Sequence, residues 1–233
     1  MNAVSPLDLT ARILYRDALM LVLDKPAGLA VHGAPGAGAH LGALLDQLRF
    51  GLPRPPELAH RLDRDTAGCL VLGRNRHALA RLGALFAGRE ADKVYWAVVV
   101  GAPPGEAGLI DKPLAKVNAH RGSRMKVDPR GQPSQTEWRL LGRGGRLSWL
   151  ECRPRTGRTH QIRVHLASIG CPIAGDGLYG QGTATLAAAD LHLLARRITL
   201  PLYPKKPAIT VTAPVPPHMA ALLAACGWSE TPP

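Results

Sequence analysis

The sequence predicts an α+β fold, with helices flanking a central, largely antiparallel or mixed β-sheet in a single domain over 1–233. Three observations lead there. Short apolar or β-branched runs bounded by glycine and proline recur along the chain. Only one strand–helix–strand succession resembles a βαβ unit. The second half is dominated by hairpin signatures. With 46% hydrophobic and 20% charged residues over 233 positions, the chain can bury a substantial core.

The elements follow in order. "LMLVLDKPAG" is a short apolar run stopped by Lys25-Pro26-Ala27-Gly28, which predicts a buried strand entering a turn. "GAPGAGAHLGALLDQLRF" predicts a glycine-rich loop and then a helix from Leu41 to Phe50. "GCLVLGR" predicts a strand, and "NRHALARLGALFAGR" a helix with Asn75 as N-cap and Gly88 near its end. "DKVYWAVVVG" has the composition of a strand. "SQTEWRLL" and "RLSWLEC" flank Gly142-Arg143-Gly144-Gly145, a hairpin turn signature. Thr159 is the expected cap of a helix, "HQIRVHLASIG", ending at Gly170 ahead of Pro172. "LHLLARRITL" and "AITVTAP" predict a closing strand pair, and "PPHMAALLAACG" a terminal helix.

Charge separates the function classes. The net charge is +12, and 22 of the 29 basic residues are arginine. Guanidinium groups match phosphate oxygens bidentately and stack on bases, which points to nucleic acid before membrane. Codon usage in a GC-rich genome would raise arginine everywhere, yet eleven Arg or Lys against three Asp or Glu fall between His120 and Arg163. That local +8 is two thirds of the net charge, and such clustering suits a polyanion partner.

Other chemistries find little support. Cys69, Cys152, Cys171 and Cys226 are far apart with no C-x-x-C pair, so a zinc framework or disulfide scaffold is not expected and reduced thiols in a cytoplasm are. The opening "MNAVSPLDLTARILYRD" meets charge too early for a signal peptide, and no apolar run approaches the roughly 20 residues of a membrane span. Gly36, Gly38 and Gly42 miss the dinucleotide spacing by one residue, and no Gly-Lys-Ser/Thr follows. His160 and His165, five apart on a helix, do not share a face, and no H-E-x-x-H is present, so no metal is expected. There is no G-x-S-x-G elbow.

Three segments carry candidate chemistry. "HRLDRDTAG" packs Asp63 between Arg61 and Arg64 immediately before the buried-looking "CLVLG". Charge set against a core strand costs free energy unless it is paired or used. The flanking arginines could keep Asp63 ionised, as a nucleophile or base requires, although a structural ion pair has the same spelling. In "RPRTGRTHQIRVHLASIG", Arg153, Arg155 and Arg158 precede a helix N-terminus, where the helix dipole disfavours positive charge. A bound phosphate would reconcile the two. His160 and Arg163 stand at i and i+3 on that helix, beside an apolar stripe of Ile162, Leu166 and Ile169. Tyr95, at a strand entrance, is either core or cleft by spacing.

Taken together, "HRLDRDTAG", "DKVYWAVVVG" and "RTGRTHQIRVHLASIGCPIAGDGLYG" resemble, in order, the three signature segments of RluA-type RNA pseudouridine synthases. The resemblance extends from "LDKPAGL" to "TVTAPVP". It departs at Ala67, where the family usually has serine, and an S4-type RNA-binding domain of the kind many relatives carry is not expected. The resemblance implies the pseudouridine synthase fold and an isomerase that turns uridine of ribosomal or transfer RNA into its C-glycoside, with no metal or cofactor. It implies Asp63 as the essential carboxylate, by attack at C1′ or by way of a glycal. It implies Tyr95 as the tyrosine against the base and Arg163 as the arginine that pairs with the aspartate. Arg61, Arg158 and His160 are the expected RNA contacts around a flipped nucleotide. A cytoplasmic monomer without an obligatory protein partner is expected. A non-catalytic RNA-binding module on the same scaffold is the alternative, discriminated by whether Asp63, Tyr95 and Arg163 act. A carboxylate glycosidase would need a second acid farther away than Asp65.

Overall fold

The computed structural model of the protein describes residues 7–33, 40–118, 123–180 and 190–230. The loop glycines Gly36 and Gly38, and His120 and Arg121 of the basic stretch, lie outside the described residues. The elements are β1 (Ile13–Arg16), β2 (Met20–Lys25), β3 (Glu57–Leu58), β4 (Ala67–Gly73), α1 (Arg76–Ala87), β5 (Asp92–Val100), β6 (Ala107–Asp111), β7 (Leu114–Asn118), β8 (Ser123–Val127), β9 (Gln135–Gly144), β10 (Leu147–Pro154), α2 (Gln161–Ala167), β11 (Leu193–Leu200), β12 (Ile209–Thr212) and α3 (Pro217–Ala225). Two 3-10 helices, Thr10–Arg12 and Leu41–Leu48, complete the set. This is an α+β chain, and it divides into two compact units.

The first unit holds Met1–Ala91 and Ile198–Ala213. Its strands run in the order β1-β2-β4 by antiparallel pairing, and the short β3 adds to β4. β2 and β4 are near-continuous apolar runs because both faces are covered, and every residue of β4 is buried. α1 starts where Asn75 Oδ1 accepts the backbone N–H of Ala78 at 2.8 Å, the predicted N-cap, and Gly88 closes it. The segment expected as a helix to Phe50 is instead a 3-10 helix ending at Leu48. It is held by burying Leu41, Leu45 and Leu48.

The second unit holds Asp92–Arg197 and Pro214–Pro233. Strand order is β11-β5-β10-β9-β6, with β7 and β8 forming a separate two-stranded ribbon. One face carries Ala97, Val99, Trp138, Leu150, Cys152 and Leu193, against which α2 seats Ile162 and Leu166. The predicted apolar stripe therefore does dock the helix on the sheet, with Ile169 packing beside it.

The hairpin turn is displaced from its expected place. Gly142 and Gly144 are strand residues of β9, opposite Trp149 and Leu147, and the turn is Gly145-Arg146 with Gly145 at φ +58°. The two strand glycines serve a close approach. A Cβ at Gly142 would collide with the carbonyl oxygen of Cys226, and one at Gly144 with that of Ala225, both at the C-terminal end of α3.

Candidate functional site

The Asp63 segment, in the first unit, is held from three sides. Behind it, His60 Nε2 accepts the backbone N–H of Val71 at 3.0 Å, and its ring stacks on Phe86 of α1 with centroids 4.5 Å apart. Ahead of it, Thr66 and Ala67 are 2% exposed where β4 begins, and Thr66 N–H donates to the Asp63 carbonyl at 3.2 Å. Beneath it lies Lys25, the last residue of β2 and fully buried. Its ammonium donates to the carbonyl oxygens of Pro26 (2.8 Å), Leu29 (2.9 Å) and Arg64 (2.8 Å). Three hydrogens on three carbonyls exhaust the donors of a protonated lysine. Burial brings its pKa down to about 8, against the upward pull of Asp65, Asp63 and Asp24. Asp63 is half-buried and Arg61 exposed, while Arg64 pairs with Asp65 at 2.8 Å. The charge set against the core strand is thus mounted on a buried cation that ties two loops together.

Tyr95, Arg158, His160 and Arg163 lie in the second unit. Tyr95 stands on β5 opposite Cys152 of β10 and packs, half-buried, against the core face. α2 begins one residue later than expected. Its N-cap is His160, in the left-handed region at φ +52°, and Thr159 does not cap it. A left-handed non-glycine residue persists only where its surroundings hold it. Here His160 Nδ1 lies 2.8 Å from the Tyr179 hydroxyl, which also accepts the backbone N–H of Met125 from β8 at 3.0 Å.

One turn along, Arg163 is 4% exposed and pairs with Asp176, 1% exposed, through Nε–H to Oδ2 at 2.8 Å and Nη2–H to Oδ1 at 2.7 Å. Asp176 Oδ1 also accepts the backbone N–H groups of Leu178 (2.9 Å) and Tyr179 (3.1 Å). The Arg163 guanidinium carbon sits 5.3 Å from the Tyr179 ring centroid. His160 and Arg163 thus meet around Tyr179.

A second buried network fixes the loop before α2. The Gln161 amide donates to Gln135 O and Thr136 Oγ1, both at 2.9 Å, and accepts from Thr156 Oγ1 (2.7 Å) and Arg158 N–H (3.0 Å). His165, fully buried, donates from Nε2 to the Lys112 carbonyl at 3.0 Å and accepts from Thr136 Oγ1 at Nδ1, at 2.9 Å. Burial holds its pKa below the usual histidine value, in keeping with a neutral ring.

The arginines ahead of α2 have a different account from the one their position suggested. Arg153 pairs with Glu151 (3.1 Å) and Asp92 (3.4 Å), and Arg155 with Glu137. These carboxylates sit on β5, β9 and β10, so ion pairs across the sheet offset the unfavourable dipole. α2, seven residues long, is not needed as a phosphate site for that purpose. Arg158 is half-buried, with Nε donating to the Pro133 carbonyl at 3.4 Å. Among the described residues, no group of three or more His, Cys, Asp or Glu is placed to hold a metal, and no helix is long and apolar enough to cross a membrane.

The residues that hold the candidates in place were not singled out by sequence reasoning. Lys25 had a signal in being a charged residue ending an apolar strand. Asp176 and Tyr179 had one in lying within "GDGLYG". Gln161 and His165 had none, since an amide and an imidazole on a helix declare no partners.

Comparison with known proteins agrees with the resemblance. The sequence profile described as RNA pseudouridylate synthase matches residues 19–168. An uncharacterized RNA pseudouridine synthase of Zymomonas mobilis is 40% identical over 211 residues, covering 89% of this chain and 95% of its own. The ribosomal large subunit pseudouridine synthase C of Vibrio cholerae is 38% identical over 218 residues, 91% of this chain and 68% of its own. Among solved structures, the human RNA pseudouridylate synthase domain containing 4 superposes with a TM-score of 0.79 at 27% identity, covering 93% of each chain.

Proposed function

The chain belongs to the RNA pseudouridylate synthase family and is an isomerase acting on RNA; from that premise we propose that it converts uridine to pseudouridine in large-subunit ribosomal RNA, as one catalytic domain acting in the cytoplasm as a monomer. The observation that carries the choice of RNA is the likeness to relatives named for that substrate, from Vibrio cholerae, Nitrosomonas europaea and Xanthomonas campestris. The +12 net charge suits a large polyanion.

The reaction breaks the bond from C1′ to N1, turns the uracil within the site and joins C1′ to C5; C5 releases its hydrogen as a proton and N1 takes one up, so the product is an isomer of the substrate. Atoms balance without oxidant or reductant. In this reading Asp63 supplies the essential carboxylate at the ribose, Tyr95 packs against the base, and Arg163 keeps the aspartate ionised. Arg61, Arg158 and His160 contact the RNA around the target. The clamp beneath Asp63 supports a role beyond an ion pair, because a group that reacts must be held in place before substrate arrives.

Large-subunit ribosomal transcript and a pool of transfer RNA, each incubated with the protein and digested to nucleosides, test the substrate choice. Pseudouridine in the ribosomal transcript is the expected result. Pseudouridine in transfer RNA only would replace the proposed substrate.

A further inference from the structure

We infer that Asp176 is a positioning residue for the isomerisation, acting through Arg163; the inference rests on the role proposed for Arg163 above. Asp176 meets the guanidinium side-on, taking Nε–H and one hydrogen of Nη2 at 2.8 and 2.7 Å with both groups buried. A side-on pair fixes the plane and rotation of a guanidinium. The edge bearing Nη1 and the second Nη2 hydrogen is then aimed by Asp176, wherever its acceptors lie.

The carboxylate is itself fixed. Oδ1 is held by the backbone N–H groups of Leu178 and Tyr179, so Asp176 caps the turn that delivers the Tyr179 ring to the guanidinium face. The same turn presents the Tyr179 hydroxyl to His160 and to the Met125 N–H of the β7–β8 ribbon. One carboxylate thus sets three things, namely the direction of Arg163, the ring against it, and the residue opening α2. Asp176 needs no contact with substrate to do so.

A buried acid beside a buried arginine would also serve stability, and the test must tell the two roles apart. Asp176→Asn in the full chain keeps the shape and one carbonyl acceptor, and removes the charge and the second acceptor. Three quantities are read: turnover by tritium release from RNA labelled at uridine C5, RNA affinity, and the Arg163 Nε–H resonance in ¹⁵N-arginine protein, identified by its loss in Arg163→Lys. The expected result is a kcat lower by roughly 10²-fold, since small misplacements of a reacting constellation cost that much. RNA affinity stays near wild type. The Nε–H signal loses its protection in Asp176→Asn and keeps it in Asp63→Asn. A folded Asp176→Asn with wild-type kcat, whatever its melting temperature, overturns the positioning role while leaving the function standing. A wild type that releases no tritium overturns the function itself, and this role with it. Should Asp176→Asn fail to fold, Asp176→Glu keeps the charge and displaces the carboxylate. A loss of kcat at constant affinity supports the proposal there, and wild-type kcat overturns it.

Discussion

The ammonium of Lys25 donates a 2.8 Å hydrogen bond to the carbonyl oxygen of Arg64, the residue after Asp63. The same nitrogen binds Pro26 and Leu29, so one buried charge joins the loop leaving β2 to the loop entering β4. Replacing it by methionine preserves length and apolar stem but leaves three carbonyls without their donor. Lys25→Met is expected to cost about 2–4 kcal/mol of stability, since unsatisfied buried polar groups are expensive. Urea unfolding measures the loss, and tritium release per folded molecule should fall with it.

Gly142 and Gly144 lie against the end of α3, where a methyl group has no room. Gly142→Ala should push α3 off the sheet and cost about 1–3 kcal/mol, the range for overpacking. Thermal unfolding checks this, and an alanine tolerated there would contradict the close approach.

Two buried imidazoles make the fold acid-sensitive. Burial lowers the pKa of His165 and of His192, the latter donating from Nδ1 to the Asp190 carbonyl at 2.9 Å. In the unfolded chain both titrate near 6.5. Between the folded and unfolded values the unfolded chain binds more protons, so stability rises with pH there and is lost as pH falls below about 6.5. Melting temperatures at decreasing pH should show that loss, and His165→Gln should show less of it. A flat profile across that window would contradict neutral buried rings.

Arg61 and Arg158 are proposed to touch RNA backbone. Arg61→Ala and Arg158→Ala should each weaken RNA binding and lower the salt dependence of log Kd by about one phosphate contact, without regard to sequence. Filter binding from low to moderate salt reads both. An unchanged slope would remove that residue from the interface.

What could be read in the chain before folding was what local physics decides. The Met20–Lys25 strand showed as an apolar run, and Asn75 as a cap, because each depends on neighbours within a few residues. The start of α2 was misread because Thr159 is a good cap by type, while the left-handed His160 is held by Tyr179, nineteen positions away. Gly142 and Gly144 have turn spelling, and the α3 carbonyls that require them are some eighty residues on. The arginines before α2 looked like a phosphate cradle because Asp92 and Glu137 reach them only through strand pairing, while Glu151 lies two residues from Arg153 on the same strand. Lys25 was read as part of a turn, and its partner at Arg64 is thirty-nine residues distant.

The most direct measurement is tritium release from C5-labelled large-subunit ribosomal RNA, wild type against Asp63→Asn, with RNA binding measured in parallel. Moving the glycosidic bond to C5 must expel the hydrogen there, so the signal reports the chemical step itself. The account predicts release by wild type, none by Asp63→Asn, and equal RNA affinity for the two. Full release by Asp63→Asn would contradict it.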